Sequence, residues 1–462
     1  MGTATPILFE RKGHWLLGAL GAFREDRLRF LTDTAQMGPI VRFRLGPRRC
    51  YLVSDPDLVR EVLVTRHAQM ARDPLVRRIL EKTLGGGLLT SDGAYWKRQR
   101  RMIAPALHLQ RVRGYADLMV EHALAAAGHW RDGEETDVEQ AMDQLTLSIV
   151  TAALFRVDSR VHAATVAETL PGLQEIARRQ FDRPVQIPDW LPTPEHRRQR
   201  ELSARLNRLV MEAISARRAR AGEGDGGDDL LTMMVQMTDA ETGERMTDEE
   251  IRAEVITLYL AGYETTALTL TYVWYELARQ PALAAHFHAE LERVLGGRPP
   301  RIDDLDQLPY TRMLFKEALR LYPPAYFMVR AVAEPITLGG HAIPRGSVLL
   351  LSPFAMHRDP SLWDEPERFD PTRFADDAER TWHKFKYFPF GGGPRICIGN
   401  QFALVEGQLL LSTLGQLVAF ELLQPDQPLT LEPQITLGPK GGMPMRLRRR
   451  ARPTAAGATA PA

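Results

Sequence analysis

The chain has 462 residues, with 59 Lys and Arg against 58 Asp and Glu, for a formal net charge of +1. That balance excludes nucleic-acid binding built on net positive charge, and 44% hydrophobic with 25% charged residues excludes disorder over most of the chain. With two cysteines, Cys50 and Cys397, neither a disulfide scaffold nor a four-cysteine metal site can be built. One bridge between the two is possible on paper; reduced thiols in a cytoplasmic setting are the simpler reading.

At roughly 150 residues per domain the length allows about three domains, but no long linker divides the chain. One large domain is expected, with a lead-in over residues 1–29, a body over 30–445 and a disordered tail over 446–462. The N-terminal apolar run, 15–23, is short, broken by Gly and without a cleavage signature, so it does not read as a secretory signal. The longest uncharged run, 407–420, is too short for a transmembrane segment. A soluble, cytoplasmic protein is expected.

In chain order, 41–45 alternates apolar and basic residues and, after Gly46-Pro-Arg-Arg49, meets 50–53, which predicts a hairpin. Apolar residues at helical spacing predict helices over 58–64, 116–127, 138–155, 201–220 and 282–295. The proline-rich 182–194 and the Gly-rich, acidic 221–229 read as connections, and 347–351 as a further strand. The fold class predicted is mainly α with small β-sheets.

Thr247-Asp-Glu-Glu250 is a capping box, and the apolar pattern behind it runs without proline to about Leu277. Its middle reads Ala261-Gly-Tyr-Glu-Thr-Thr266. A Gly there weakens the helix by about 1 kcal/mol relative to Ala, and a carboxylate and two hydroxyls sit where the neighbouring turns are apolar. Local weakening beside polar groups marks a functional site.

The strongest signal is Phe390-Gly-Gly-Gly-Pro-Arg-Ile-Cys-Ile-Gly399, a tight backbone that presents a lone Cys397 just before a helix predicted over 400–420. Partial positive charge at that helix start favours a thiolate. Zinc would need three or four protein ligands and an iron–sulfur cluster four cysteines, whereas haem brings four nitrogens of its own and needs one axial thiolate. The plain alternative is a buried, inert Cys in a glycine turn.

FGGGPRICIG resembles the haem-thiolate loop of the cytochrome P450 family, F-G-x-G-x-R-x-C-x-G, at all six specified positions. Trp96-Lys-Arg-Gln-Arg100 matches W-x-x-x-R, residues 261–266 match [AG]-G-x-[DE]-T-[TS], Glu317-Ala-Leu-Arg320 matches E-x-x-R, and Pro366-Glu-Arg-Phe369 matches P-E-R-F, all in the expected order. The resemblance implies a single-domain P450 fold with haem b (iron protoporphyrin IX) between the long central helix and the cysteine-loop helix. It makes Cys397 the iron ligand and Phe390 part of the loop that cradles it. Trp96, Arg100 and Arg395, with Arg330 as a further candidate, become haem-propionate contacts; for any one Arg the plain alternative is a solvated charge. Glu264 and Thr265 become the acid–alcohol pair that feeds protons to bound dioxygen, unless the Thr hydroxyl simply bonds back to its own helix. Gly262 is expected to let the helix open beside the iron. Glu317, Arg320 and Arg368 become a buried structural triad.

The activity implied is a monooxygenase that hydroxylates or epoxidises a hydrophobic organic substrate with O2 and two electrons. The alternatives are a peroxide-driven peroxygenase or isomerase, and a non-catalytic haem sensor; retention of Glu264 and Thr265 argues against both. With no flavin or nicotinamide domain in the chain, NAD(P)H electrons are expected through a separate ferredoxin or flavodoxin with its reductase, docking on Lys97, Arg98, Arg101, Lys384 and Lys386. Residues 66–90, 181–194, 325–329 and 438–443 are expected to face the substrate. The E-T-T variant and Trp190-Leu-Pro-Thr-Pro194 resemble the fatty-acid-hydroxylase-like branch, with terpenoid, steroid and polyketide substrates equally open.

Overall fold

The computed structural model describes residues 8–155, 159–183, 186–221 and 229–450. In chain order these form β1 (Phe9–Glu10), α1 (Arg27–Ala35), β2 (Ile40–Leu45), β3 (Arg48–Val53), β4 (Met70–Ala71), α2 (Pro74–Leu84), α3 (Gly93–Ile103), α4 (Ala116–His129), β5 (Glu135–Asp137), α5 (Val138–Phe155), α6 (Ser159–Asp182) and α7 (Pro194–Ala221). The second half adds α8 (Asp248–Gly262), α9 (Glu264–Arg279), α10 (Pro281–Leu295), α11 (Pro309–Leu321), β6 (Met328–Val332), β7 (Val348–Leu351), α12 (Asn400–Leu417), β8 (Val418–Leu422), β9 (Leu431–Pro433), β10 (Leu437–Pro439) and β11 (Pro444–Arg449). Helices dominate and the sheets are small, as the periodicity predicts. No helix among the described residues is long and apolar enough to cross a membrane.

The largest sheet runs β1-β2-β3-β7-β6-β4. The expected hairpin pairs Ile40 with Val53 and Leu45 with Arg48. It turns through Gly46, whose φ of +61° suits the first position of a two-residue turn. β1 lies parallel to β2, so the lead-in contributes an edge strand.

The helical body surrounds α9, whose residues 266–277 are all buried. α5 and α12 pack on it. Where the predicted long helix runs, the structure has two, α8 and α9, parted at Tyr263. The capping box at its start is complete: the Glu250 amide donates to Thr247 Oγ1 (3.2 Å) and the Thr247 amide to Glu250 Oε2 (2.8 Å).

Four expectations change. The helix at 58–64 begins at Pro56 and after Arg60 continues as one π turn, Glu61–Thr65. α7 starts at Pro194, not Glu201; its first turns carry mostly charged residues, which hide the apolar spacing. The helix predicted to 420 stops at Leu417, because β-branched Val418 turns extended to pair with Arg449. That pairing also draws residues 446–449, read as disordered tail, into β11; 451–462 lie outside the described residues, as does most of the connection at 221–229.

Candidate active site

The cysteine loop is held by its own backbone. The Cys397 amide donates to the Phe390 carbonyl (2.9 Å) and the Ile396 amide to Gly393 (3.1 Å). Gly393 sits at φ +66°, and a Cβ there would run into the Leu63 carbonyl from the π turn. Gly392 leaves room for the Phe385 ring. The Gly399 amide and the Arg100 charge pull the Cys397 thiol pKa down, but burial is the larger influence and raises it.

Cys397 has open surface all the same. A residue desolvated by its surroundings yet open to a probe is the combination that an interior hollow produces. Ala261 is also exposed, in the last turn of α8 between buried Tyr259 and buried Tyr263. Cys397 and Cys50 are both free cysteines, Cys50 being buried in the sheet.

The expected propionate contacts come together. The Arg395 guanidinium lies 4.1 Å from the centroid of the buried Trp96 ring and that of Arg100 5.9 Å. Arg395 is tied to the Ser91 carbonyl (3.1 Å) and to Asp92. Arg330 is buried and donates only to the neighbouring Val329 carbonyl (2.9 Å). Arg72, which no motif marks, joins them. Burial, then the charges of Arg330 and Arg395, push its guanidinium down to about 9, against the single favourable charge of Asp92. Burial and Arg395 likewise bring Arg330 to about 10. The Arg72 Nε is buried without a hydrogen-bond partner. So much positive charge around one carboxylate is stable only with further anions. Two propionates at one edge of a thiolate-ligated haem meet that need, and the residues present fit the group.

At the start of α9, Glu264 Oε2 accepts from Gln174 Nε2 and Oε1 from Thr436 Oγ1, both at 2.6 Å. Burial raises the Glu264 pKa, and these two bonds only partly offset it. The Thr265 hydroxyl donates back to the Ala261 carbonyl at 2.9 Å, the helix-bonded alternative named for it, so its proton is committed and only its oxygen lone pairs are left to accept. A Cβ on Gly262 would lie 3.2 Å from Val150 of α5, so that glycine lets two helices approach. Gln174 and Thr436 carry no sequence signal, since each is far along the chain from the motif it serves.

Glu317 and Arg320 form a fully buried, two-pronged pair, both bonds 2.8 Å, and Arg320 also donates to the carbonyls of His357, Pro366 and Arg368. The triad needs one correction. The Arg368 side chain is 61% exposed and pairs with Glu365; only its carbonyl serves the pair, and Arg373 approaches Glu317 instead (3.5 Å). The basic face also shrinks. Arg98 is bound to Glu250 and Arg101 to Asp239 and Glu241, while Lys386 lies over the Trp363 and Trp382 rings. Lys97 and Lys384 are exposed. Of the expected substrate segments, 325–329 reaches the cysteine loop, where Met328 Cε would lie 3.5 Å from a Cβ on Gly391.

A family model described as Cytochrome P450 matches residues 10–445. Cyclooctatin synthase of Streptomyces melanosporofaciens is 40% identical, over 89% of this chain and 88% of its own. Cyclooctat-9-en-7-ol 5-monooxygenase of the same organism is 36% identical, over 87% and 86%. The crystal structure of the cytochrome P450DA heme domain superposes with a TM-score of 0.85 at 30% identity, covering 96% of this chain and 98% of that one. A lone thiol on an enclosed hollow, a cationic cluster short of anions and these likenesses agree, and the chain belongs to the cytochrome P450 family as a haem-dependent monooxygenase.

Proposed function

We propose that this monooxygenase hydroxylates or epoxidises a rigid, carbocyclic, hydrophobic substrate. It takes its electrons from NAD(P)H through a ferredoxin or flavodoxin and its reductase. The carrying observation is the Cys397 sulfur opening on a hollow that the Arg72, Arg100, Arg330 and Arg395 cluster serves. The carbocyclic class is supported by the name of the relative that acts on cyclooctat-9-en-7-ol. Exposed Lys97, next to Trp96 on α3, and Lys384 support an acidic electron donor.

When bound, haem supplies the activation of dioxygen and the oxygen transfer. The chain supplies the rest. Cys397 Sγ is the iron ligand, and the Gly399 amide donating to it tempers its electron release. The guanidiniums of Arg72, Arg330 and Arg395 would hold the propionates and so orient the ring. Burial of Glu264 shifts its balance towards the protonated form, from which it can donate. Thr265, its own proton committed to Ala261, keeps the lone pairs of Oγ1 as an acceptor one residue along α9 from Glu264.

Cys397→Ser is expected to abolish the strongly red-shifted Soret band of the reduced carbon monoxide complex; survival of that band rejects Cys397 as ligand. Cyclic alkenols are expected to shift the haem spin state on titration, and a response to long-chain fatty acids alone rejects the substrate class.

A further inference from the structure

Around Glu264 the structure gathers more carboxyl groups than any motif accounts for. Glu139 and Asp143 are four residues apart on α5, hence stacked on one face of that helix. α5 packs against α9, whose first residue is Glu264. The segment 436–438 closes the third side: Thr436 donates to Glu264 Oε1, and Glu139 Oε1 lies 3.3 Å from where a Gly438 Cβ would be. Asp143 Oδ1 is buried and has no hydrogen-bond partner.

Among the described residues no cation compensates them. The charged and titratable groups facing the three are Asp137 of β5, Glu432 of β9, Tyr263 beside Glu264, and Tyr272 of α9, which Glu139 faces. The guanidinium of Arg178 on α6 feels Glu432 but is occupied with Glu175 and Asp182. Gln174, the α6 partner of Glu264, is neutral and bridges to the Tyr263 hydroxyl, which donates to Gln174 Oε1 (2.9 Å). No group of three or more His, Cys, Asp or Glu among the described residues is arranged to hold a metal ion. Three carboxyls drawn together inside the fold with no described cation beside them do not all ionise, so they share protons. Burial first, then Glu264 and Glu139, raise Asp143 to about 8. Burial first, then Asp137 and Glu264, raise Glu139 to about 7.

We propose that Asp143 and Glu139 form a proton reserve that recharges Glu264 from the protein surface. The inference rests on the reading of Glu264 as proton donor. After Glu264 has given up its proton, the Asp143 carboxyl passes its own to the Glu264 carboxylate. The Asp143 carboxylate takes the proton of Glu139, and Glu139, the least buried of the three, is reprotonated by solvent near Asp137 and Glu432. One proton moves inward, no electron is transferred, and each carboxyl ends in its starting state. Glu139 and Asp143 are positioning residues in this scheme.

The test compares the holoenzymes of the wild type, Asp143→Asn, Asp143→Glu, Glu139→Gln and Glu264→Gln, each confirmed by its haem spectrum. Infrared difference spectra across pH are expected to show protonated-carboxyl stretches in the wild type at pH 7, with one band missing in Asp143→Asn. The alkaline limb of product formation in Asp143→Asn is expected to move down by about one pH unit, a tenfold change in protonated fraction. More reductant should then go to hydrogen peroxide, Asp143→Glu should restore the wild-type limb, and Glu139→Gln should shift it less. If Glu264→Gln lowers coupling while Asp143→Asn keeps the wild-type limb, the reserve is overturned and the donor reading stands. If Glu264→Gln itself leaves coupling unchanged, the donor reading falls and the reserve falls with it. Absence of protonated-carboxyl bands at pH 7 overturns the reserve on its own.

Discussion

Two walls of the same interior carry opposite charge in excess. Around Trp96, the guanidiniums of Arg72, Arg330, Arg395 and Arg100 meet one carboxylate, Asp92. Behind α9, the carboxyls of Glu264, Asp143 and Glu139 meet none of the described cations. The two sites resolve the same difficulty by different chemistry. Guanidiniums stay protonated at any ordinary pH, so the first cluster needs an anion from outside the chain, and the two carboxylates of the haem proposed for it would meet that need. Carboxyls can neutralise themselves by keeping their protons, so the second wall needs nothing from outside and becomes a store. Arg-rich and Asp/Glu-rich burial thus predict different things: a ligand in one case, a titration in the other.

The sharpest control on that contrast is a site where both charges are present. Glu317 and Arg320 are fully buried and mutually satisfied. Removing one partner leaves the other bare, a loss of about 3–5 kcal/mol for a buried pair. Glu317→Ala is therefore expected to cause the largest loss, read as a lowered urea midpoint and a low yield of haem-loaded protein. Arg368→Ala removes an exposed side chain whose carbonyl alone serves the pair, and is expected to leave that midpoint unchanged. Equal losses in both would restore Arg368 to the buried triad.

Arg72→Met tests the cationic wall. With haem bound, the variant lacks one charge-assisted contact to a propionate, worth about 1.5–3 kcal/mol, so haem transfer to an excess of apo-globin should be about tenfold to a hundredfold faster. Without haem, the same change removes a buried charge with an unpartnered Nε, and the haem-free protein should become more stable, not less. A variant less stable in both states would mean that Arg72 serves packing and not the cofactor.

The cysteine loop and the positions of Glu264, Thr265, Trp96, Arg100 and Arg395 are legible in the sequence because each is carried by a contiguous motif, while the roles proposed for them come from the resemblance. Arg330 is legible only through the resemblance, from its place after the E-x-x-R helix. Arg72 is not legible at all, since what makes it functional is the meeting of 72, 330 and 395 in space. Glu139 and Asp143 sit in a helix whose bounds the apolar spacing gives to the residue, Val138–Phe155, yet the same spacing assigns polar positions to solvent. Only the packing of α5 on α9 turns them inward. The misplaced ends have the same origin: Val418 leaves its helix for a partner strand that lies far along the chain in sequence, and the π turn at Glu61–Thr65 answers to the glycine loop it supports.

The acidic wall predicts the smallest effect and one with a definite sign. In the unfolded chain Glu139 and Asp143 ionise near the usual carboxylate range, about 4; in the folded protein they do so at about 7 and about 8. Between those limits the folded state binds more protons than the unfolded state, so stability falls as pH rises and levels off above about 8. The full slope for one group is about 1.4 kcal/mol per pH unit, and half-buried Glu139 contributes less through solvent screening. Urea midpoints of the holoenzyme from pH 5 to 8 should therefore decline, and Asp143→Asn should decline less steeply. Some slope must survive in that variant, because burial also raises Glu254 and Glu406 to about 8. The guanidinium wall contributes nothing over this window, so a slope that Arg72→Met abolished and Asp143→Asn left intact would reverse the assignment of ligand site and proton store.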